Sequence, residues 1–373
     1  MDWIPRPIRR QVEVSPSRGQ SMNVTTIAIT GASGLVGQCL IPELAARGGR
    51  LVALDVREPR RRAPNLEFHR VDIARGELKP LLEATDVLVH LAAVVDPIPD
   101  EALMAHVNVE GTRRVLDAAG AVGVRKIIRV SSAAVYGAWA NNARPLGEDA
   151  PLRPNQGFSP AVQAAETERL LAEWHADHPT VTVTTLRTAP VLGPGAERLP
   201  SRLLLRSPPL RIRGADPPVQ VVHVDDLVAA LVLAVESDLG GVYNVSADGW
   251  LEPEVYRALV GRSSVPPLPA ELVERVLEWT WAWGIGDIPP GVVPYLMHPW
   301  VLDNQRLRAA GWTPRHTNEE ALREGLATMP PSSFGRWLAT LCAGAVTGAA
   351  LTVLLRRRFR GRTRNATKTP MRS

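Results

Sequence analysis

A chain of 373 residues, 45% hydrophobic and 22% charged, has the length and composition to bury a large core, which excludes a disordered or low-complexity protein. Its net charge of +5 is a property of the tail: residues 356–373 hold eight of the 43 basic residues, and the other 35 face 38 acidic ones, so a nucleic-acid-binding body is not implied. Two cysteines, Cys39 and Cys342, give neither a disulfide framework nor a C-x-x-C metal centre, and fit a reducing compartment.

Residues 1–22 combine Pro, Arg and Ser without an apolar run, which predicts a disordered leader and no Sec export. Residues 24–30 (VTTIAIT) read as a buried strand, and 35–47 as a helix stopped by Gly48-Gly49. Strand patterns recur at 51–55, 66–73, 86–93 and 126–132, with helices near 77–84 and 101–120 between them. A helix over 164–176, a strand over 180–187 and a helix over 224–237 continue the series. Such alternation predicts an α/β fold, a Rossmann-type doubly wound parallel sheet. The core is expected over 23–189. Residues 190–331, richer in Pro and Gly, are expected to hold a smaller substrate lobe and the last core elements.

Between the first strand and helix stands Thr30-Gly-Ala-Ser-Gly-Leu-Val-Gly37. Gly31 allows the tight turn, Gly34 lets the backbone approach a pyrophosphate, and Gly37 lets helix pack on strand. The helix N-terminus offers N–H groups and a positive dipole end to phosphates. Asp55, closing the second strand, can accept ribose hydroxyls and repel a 2′-phosphate, which favours NAD. Arg57, Arg60, Arg61 and Arg62 could reach such a phosphate; a solvated basic loop is the preferred reading.

TGASGLVG, Asp72-Ile73, HLAAVV (90–95), NVEGT (108–112), SSAAVYG (131–137), LRTAPVLGPG (186–195), VHVDDL (222–227), YNV (243–245) and GWTPRHTNEEALRE (311–324) occur in order. This series resembles the extended short-chain dehydrogenase/reductase family, in its branch of NAD-dependent nucleotide-sugar epimerases and dehydratases, over roughly residues 24–326. It is also similar to actinobacterial proteins described as UDP-glucose 4-epimerase-like. The resemblance implies that Gly31, Ser33, Gly34, Leu35, Val36 and Gly37 cradle the pyrophosphate and Asp55 the adenosine ribose. It places Asp72 and Ile73 by the adenine, with Leu91, Ala92, Ala93 and Asn108 also along the cofactor. It makes Ser132 the catalytic hydroxyl.

The family's chemistry uses a tyrosine as acid/base and a lysine four residues on, one helical turn away, which lowers the phenol pKa. Aligned on Glu166, this chain has Phe158 and Val162 at those places. No Y-x-x-x-K occurs anywhere: Tyr136, Tyr243, Tyr256 and Tyr295 are followed at that spacing by Ala140, Ala247, Val260 and Pro299. Lysines are confined to Lys79, Lys126 and Lys368. Substitute groups are Tyr136 and Asp96, the latter placed after the fourth strand where ligands of open α/β sheets bind. His90 and His223 read as hydrogen-bonded core histidines, and His175 and His178 as helix C-capping groups; no metal is expected.

Residues 337–355 (WLATLCAGAVTGAALTVLL) are uncharged and flanked by Arg336 and Arg356, which predicts a membrane helix. Gly344 and Gly348 within it would allow a homodimer. The body would then be cytoplasmic and membrane-anchored, although a spanning helix would put the basic tail 356–373 on the unusual side; an interfacial helix is the alternative. The tryptophan-rich stretch 278–300 reads as lobe packing or as a membrane- or substrate-facing surface. Two functions are expected: an NAD-linked epimerase/dehydratase-like enzyme on a nucleotide-sugar or lipid-linked substrate with a non-standard acid/base, or a silent NAD-binding sensor or scaffold.

Overall fold

The computed structural model describes residues 25–328, apart from 197, 200, 206–208 and 262–265. The leader, the apolar segment 337–355 and the basic tail expected from sequence lie outside the described residues. Among the described residues no helix is long and apolar enough to cross a membrane.

Seven parallel strands form one sheet: β1 (Thr26–Thr30), β2 (Arg50–Asp55), β3 (Leu66–Arg70), β4 (Val87–His90), β5 (Lys126–Ser132), β6 (Thr182–Thr188) and, beyond two short strands, β9 (Gly241–Val245). Their order is β3-β2-β1-β4-β5-β6-β9. β7 (Val191–Leu192) and β8 (Val222–His223) pair separately, in parallel. The chain order reverses between β1 and β4, so a crevice opens there at the C-terminal ends of the strands. β1 is buried at every position, as its unbroken apolar run requires of a strand covered on both faces.

Helices α1 (Leu35–Ala45), α2 (Lys79–Leu82), α3 (Glu101–Ala105), α4 (Gly111–Val122) and α5 (Ser159–Asp177) cross between these strands. Further on come α6 (Ser201–Leu204), α7 (Val224–Glu236), α8 (Pro253–Val260), α9 (Ala270–Ala282), α10 (Val293–Met297), α11 (Gln305–Ala309) and α12 (Asn318–Thr328). One core face packs α1 and α7 on the sheet through Leu40, Ile41, Leu227 and Leu231. The other packs α4 and α5 through Val115, Leu116, Leu170 and Leu171. Two further clusters build the C-terminal region, around Phe158, Leu203, Leu277 and Tyr295 and around Leu205, Val221, Tyr256 and Leu322.

Three expected elements differ. β4 ends at His90, so 91–93 leave the sheet as loop. The helix expected over 101–120 is interrupted by one π-helical segment, His106–Glu110. The wider turn carries Asn108, whose buried amide bonds Val94 and Gln163. The helix expected to begin at 164 begins at Ser159, with Phe158 at its N-cap position.

Candidate active site

The glycine loop is built by close approach. Gly31 has φ +71, and a Cβ on it would lie 2.6 Å from the Ala92 backbone nitrogen. A Cβ on Gly37 would lie 2.7 Å from the Ala32 carbonyl oxygen. Both places therefore require glycine. Gly34 is the N-cap of α1, whose first turn holds no acidic residue, so nothing on the helix competes with an anion there. Ser33, Gly34, Leu35 and Val36 are half-buried, leaving the loop open to the crevice.

Asp55 is held from two sides. Its carboxylate accepts the Ser33 N–H at 2.9 Å and the Arg57 N–H at 3.1 Å. The end of β2 is thus pinned to the glycine loop, with lone pairs left for hydroxyl donors. Arg57, Arg60, Arg61 and Arg62 are exposed, and Arg62 pairs with Glu58 at 2.7 Å. Asp72 spends one carboxylate oxygen on the Ala74 N–H at 2.9 Å. Ile73 is buried against Gly111. Leu91 and Ala92 are half-buried and Ala93 exposed where the chain leaves β4.

A directed hydrogen-bond chain runs beneath this loop. The Ala92 N–H reaches Thr30 Oγ1 at 3.3 Å, and Thr30 Oγ1 meets His90 Nδ1 at 2.7 Å. His90 Nε2 meets Thr112 Oγ1 at 3.0 Å, and Thr112 donates to the Asn108 carbonyl at 2.5 Å. The Thr112 bond assigns the Nε2–H tautomer to His90. Burial, with the Arg129 charge second, pushes the His90 pKa down to about 3. His90 is a neutral structural group, as expected of a core histidine. The Asn108 amide accepts from Val94 N–H at 2.7 Å and donates to Val94 C=O at 3.1 Å and Gln163 Oε1 at 2.8 Å.

Ser132 ends β5, half-buried, with its hydroxyl accepting the Ala134 N–H at 3.2 Å. Tyr136 lies one 3-10 turn further, 1% exposed. Its hydroxyl donates to Asn244 Oδ1 at 2.8 Å and accepts from Arg187 Nη1 at 2.7 Å. Burial raises its pKa to about 12 despite the Arg187 charge. The Arg187 guanidinium also grips Glu168 through Nε and Nη2, at 2.9 and 2.7 Å, and both side chains are buried. Glu168 accepts from Ser131 as well. The sequence reading missed this cluster; its signal is a pair of arginines, Arg129 and Arg187, inside buried central strands, where a charge needs a partner.

Phe158 is buried in the C-terminal cluster, its ring centroid 5.1 Å from that of Tyr295. Tyr295 donates its hydroxyl to the Ala134 carbonyl at 2.8 Å, and burial raises its pKa. Val162 is half-buried. Glu166, which marked the helical register in the sequence, is exposed, whereas Glu168 is buried and bonded. Glu168 thus meets β5 and β6, and Ala164 and Pro160 stand one and two helical turns before it on the same face. Lys126 donates its ammonium to the carbonyls of Ala234, Val235 and Ser237 at 3.2, 3.1 and 2.6 Å, closing the C-terminus of α7. Asp96 gives one oxygen to Arg198 Nη1 at 2.8 Å and the other to the Leu199 N–H at 2.9 Å. It ties the loop after β4 to the C-terminal region.

His178 stacks on Trp174 at 4.0 Å and bonds its carbonyl, at the end of α5. His175 lies within the last turn of α5. His223 and His316 stack at 3.9 Å, and with Asp225 they bring donor atoms within 4.8 Å of one another. The Asp225 N–H already occupies His223 Nδ1 at 3.2 Å, and Asp226 takes His316 Nδ1 at 3.1 Å. His223 Nε2 lies 3.1 Å from Glu324 without hydrogen-bond alignment.

Comparison with known proteins agrees with this geometry. Residues 27–246 match the family described as NAD dependent epimerase/dehydratase. The chain is 32% identical to a 3-diazoavenalumate denitrifying reductase from a Streptomyces species over 329 residues, 80% of this chain and 98% of that one. It is 31% identical to a UDP-glucose 4-epimerase of Mycolicibacterium smegmatis over 330 residues, 80% and 95% of the two chains. The fold is that of a Thermus thermophilus UDP-glucose 4-epimerase solved with NAD, at TM-score 0.63 and 23% identity, covering 82% and 98% of the chains.

Proposed function

The chain belongs to the NAD dependent epimerase/dehydratase family, and we propose that it transfers hydride between NAD and a nucleotide sugar or related small molecule without the tyrosine–lysine pair. Its cofactor is NAD. The observation that carries the cofactor half of this reading is Asp55, pinned against the glycine loop by the Ser33 N–H at 2.9 Å. Gly31, Gly34 and Gly37 would hold the pyrophosphate, Asp55 the adenosine ribose, and Ala92, Ala93 and Asn108 the side along β4. NAD, when bound, supplies the hydride carrier. Ser132, at the end of β5, would hydrogen-bond the substrate oxygen.

The acid/base half rests on what is committed elsewhere. Counting from the buried Glu168 moves the tyrosine and lysine places from Phe158 and Val162 to Pro160 and Ala164, and neither register holds a titratable group. Lys126 is spent on α7. Tyr136 is turned into the core, and Asp96 has both oxygens engaged. Hydride delivered to an already electron-poor centre needs no alcohol deprotonated, and a relative at 32% identity is by name a reductase. These facts favour reductive hydride transfer over epimerisation. The second reading is a silent NAD-binding sensor or scaffold, favoured by the same engagement of Tyr136 and Asp96. Under either, segment 337–355 would tether the body to a membrane.

The deciding experiment purifies the full chain in detergent and identifies the bound nucleotide. Reduced and oxidised cofactor are then followed with UDP-glucose, UDP-glucuronic acid and electron-poor aromatic acids. Turnover of any one supports the enzyme; NAD binding with no redox change for any of them supports the sensor.

A further inference from the structure

The C-terminal region holds a cavity of about 90 Å³, walled by Pro190, Leu203, Leu210, Ile212, Tyr295 and Trp300. Water occupies roughly 30 Å³ in the liquid, so the space suits a ring or a short hydrocarbon and is far below the ~300 Å³ at which drug-sized ligands begin. Polar side chains also reach the lining, and their hydrogen bonds are already used. Tyr295 donates to Ala134 C=O at 2.8 Å, Tyr256 to Leu204 C=O at 2.8 Å, and Trp300 Nε1 to Tyr295 C=O at 3.1 Å. Gln220 spans Gly249 and Leu302, and Arg257 pairs with Asp216 and Glu254.

Arg211 is the exception. It lines the cavity and is half-buried, yet its guanidinium meets no hydrogen-bonding or acidic partner among the described residues. Of the other arginines of the region, Arg198 pairs with Asp96, Arg202 with Asp287 and Arg257 with Asp216, whereas Arg213 is exposed to solvent and away from the cavity lining. A cation partly withdrawn from water beside apolar walls lacks its counter-charge. Carboxylate geometry matches the planar guanidinium fork, two oxygens to two N–H groups.

We propose that this cavity is a carboxylate subsite: it receives an organic acid whose apolar body lies between Ile212, Tyr295 and Trp300 and whose carboxylate pairs with Arg211. The proposal rests on the reading that this region is the substrate side, and narrows the related substrates allowed there to apolar acids. Tyr295 is the physical link, since it walls the cavity and bonds Ala134, two residues past Ser132.

The test uses the full chain in detergent, with benzoate as probe and benzamide as its neutral isostere, titrated by calorimetry. Benzoate is expected to bind at least about tenfold more tightly than benzamide, Arg211→Gln to erase the difference, and Arg211→Lys to keep part of it. Circular dichroism and NAD affinity, unchanged in Arg211→Gln, show that the variant is folded. Equal binding of the two probes, or benzoate binding indifferent to Arg211→Gln, overturns the proposal. So does UDP binding that depends on Arg211 while benzoate fails to bind, which would make the site one for phosphate. NAD affinity separates the two ideas: intact NAD binding with no benzoate preference sinks the subsite alone, whereas loss of NAD binding by the unmodified chain sinks the earlier reading.

Discussion

Arg187 on β6 and Glu168 on α5 meet as a buried two-pronged ion pair, with Nε and Nη2 at 2.9 and 2.7 Å from one carboxylate oxygen. The pair fastens the helix that borders the crevice to the strand beside Ser132. Removing one partner leaves an uncompensated buried charge, so Glu168→Gln is expected to cost about 3–5 kcal/mol of stability. Replacing both, Glu168→Leu with Arg187→Met, should cost less than Glu168→Gln alone. Denaturant unfolding of the three proteins checks the order; a single variant as stable as the parent would remove the pair from the fold's support.

Asp55 should set cofactor choice. A charged carboxylate accepting a hydroxyl contributes about 1.5–3 kcal/mol, so Asp55→Ala should weaken NAD binding roughly 10- to 100-fold. NADP should be affected less, because the same change removes a repulsion. Titration of each dinucleotide measures this. Stronger NADP binding by the unmutated chain would transfer the role to the Arg57–Arg62 loop.

The two helical registers give different restorations. Counted from Glu168, Pro160→Tyr with Ala164→Lys rebuilds a phenol and an ammonium one turn apart on the helix face that carries Glu168. Counted from Glu166, the rebuilding pair is Phe158→Tyr with Val162→Lys. The first pair is expected to raise NAD reduction with a nucleotide sugar, toward the 10²–10⁴-fold that general acid–base terms supply, and more than either single change. The second puts a phenol among Leu203, Leu277 and Tyr295 and should do nothing or unfold the region. Activity restored by the second pair alone would return the register to Glu166.

His90 should make stability depend on pH. Its folded pKa is about 3, set first by burial and then by Arg129, against roughly 6.5 when unfolded. The unfolded chain therefore binds a proton that the folded chain refuses. The stability is fully present above pH ~6.5 and falls by about 1.4 kcal/mol per pH unit on the way down to ~3. His90→Gln, which cannot titrate, should lower stability at neutral pH and flatten this decline by about one proton. Unfolding curves collected between neutrality and mild acid read it directly, and an unchanged slope would refute it.

What the sequence displayed depended on distance along the chain. β1 was legible because its apolar run ends at glycines, β5 because its β-branched Ile127, Ile128 and Val130 stand out between charged and polar residues, and the glycine loop because its spacing is fixed by contacts within one strand–helix unit. Asp55 was legible for the same reason. The Arg187–Glu168 pair joins residues of different elements, and only the presence of an arginine in a buried strand hinted at it. Tyr136 stood near Ser132 in sequence, but its 3-10 turn sends the hydroxyl to Asn244 in the core. The π-helical segment was invisible because a pattern of apolar spacing cannot register one widened turn, yet that segment carries the Asn108 amide to Val94 and Gln163.

Lys126 carries a practical consequence. Its amine is folded into the end of α7, and burial, aided by Arg125, lowers its pKa. Acylating reagents must break three carbonyl contacts to reach it, while Lys79, at the start of α2, is exposed. Within the described residues, amine-directed chemistry therefore has one open address, on the helix that follows β3 at the edge of the sheet. Within the described region, a nearly lysine-free scaffold can therefore carry a fluorophore or surface linker at one known position, on a helix that contributes nothing to the C-terminal cavity.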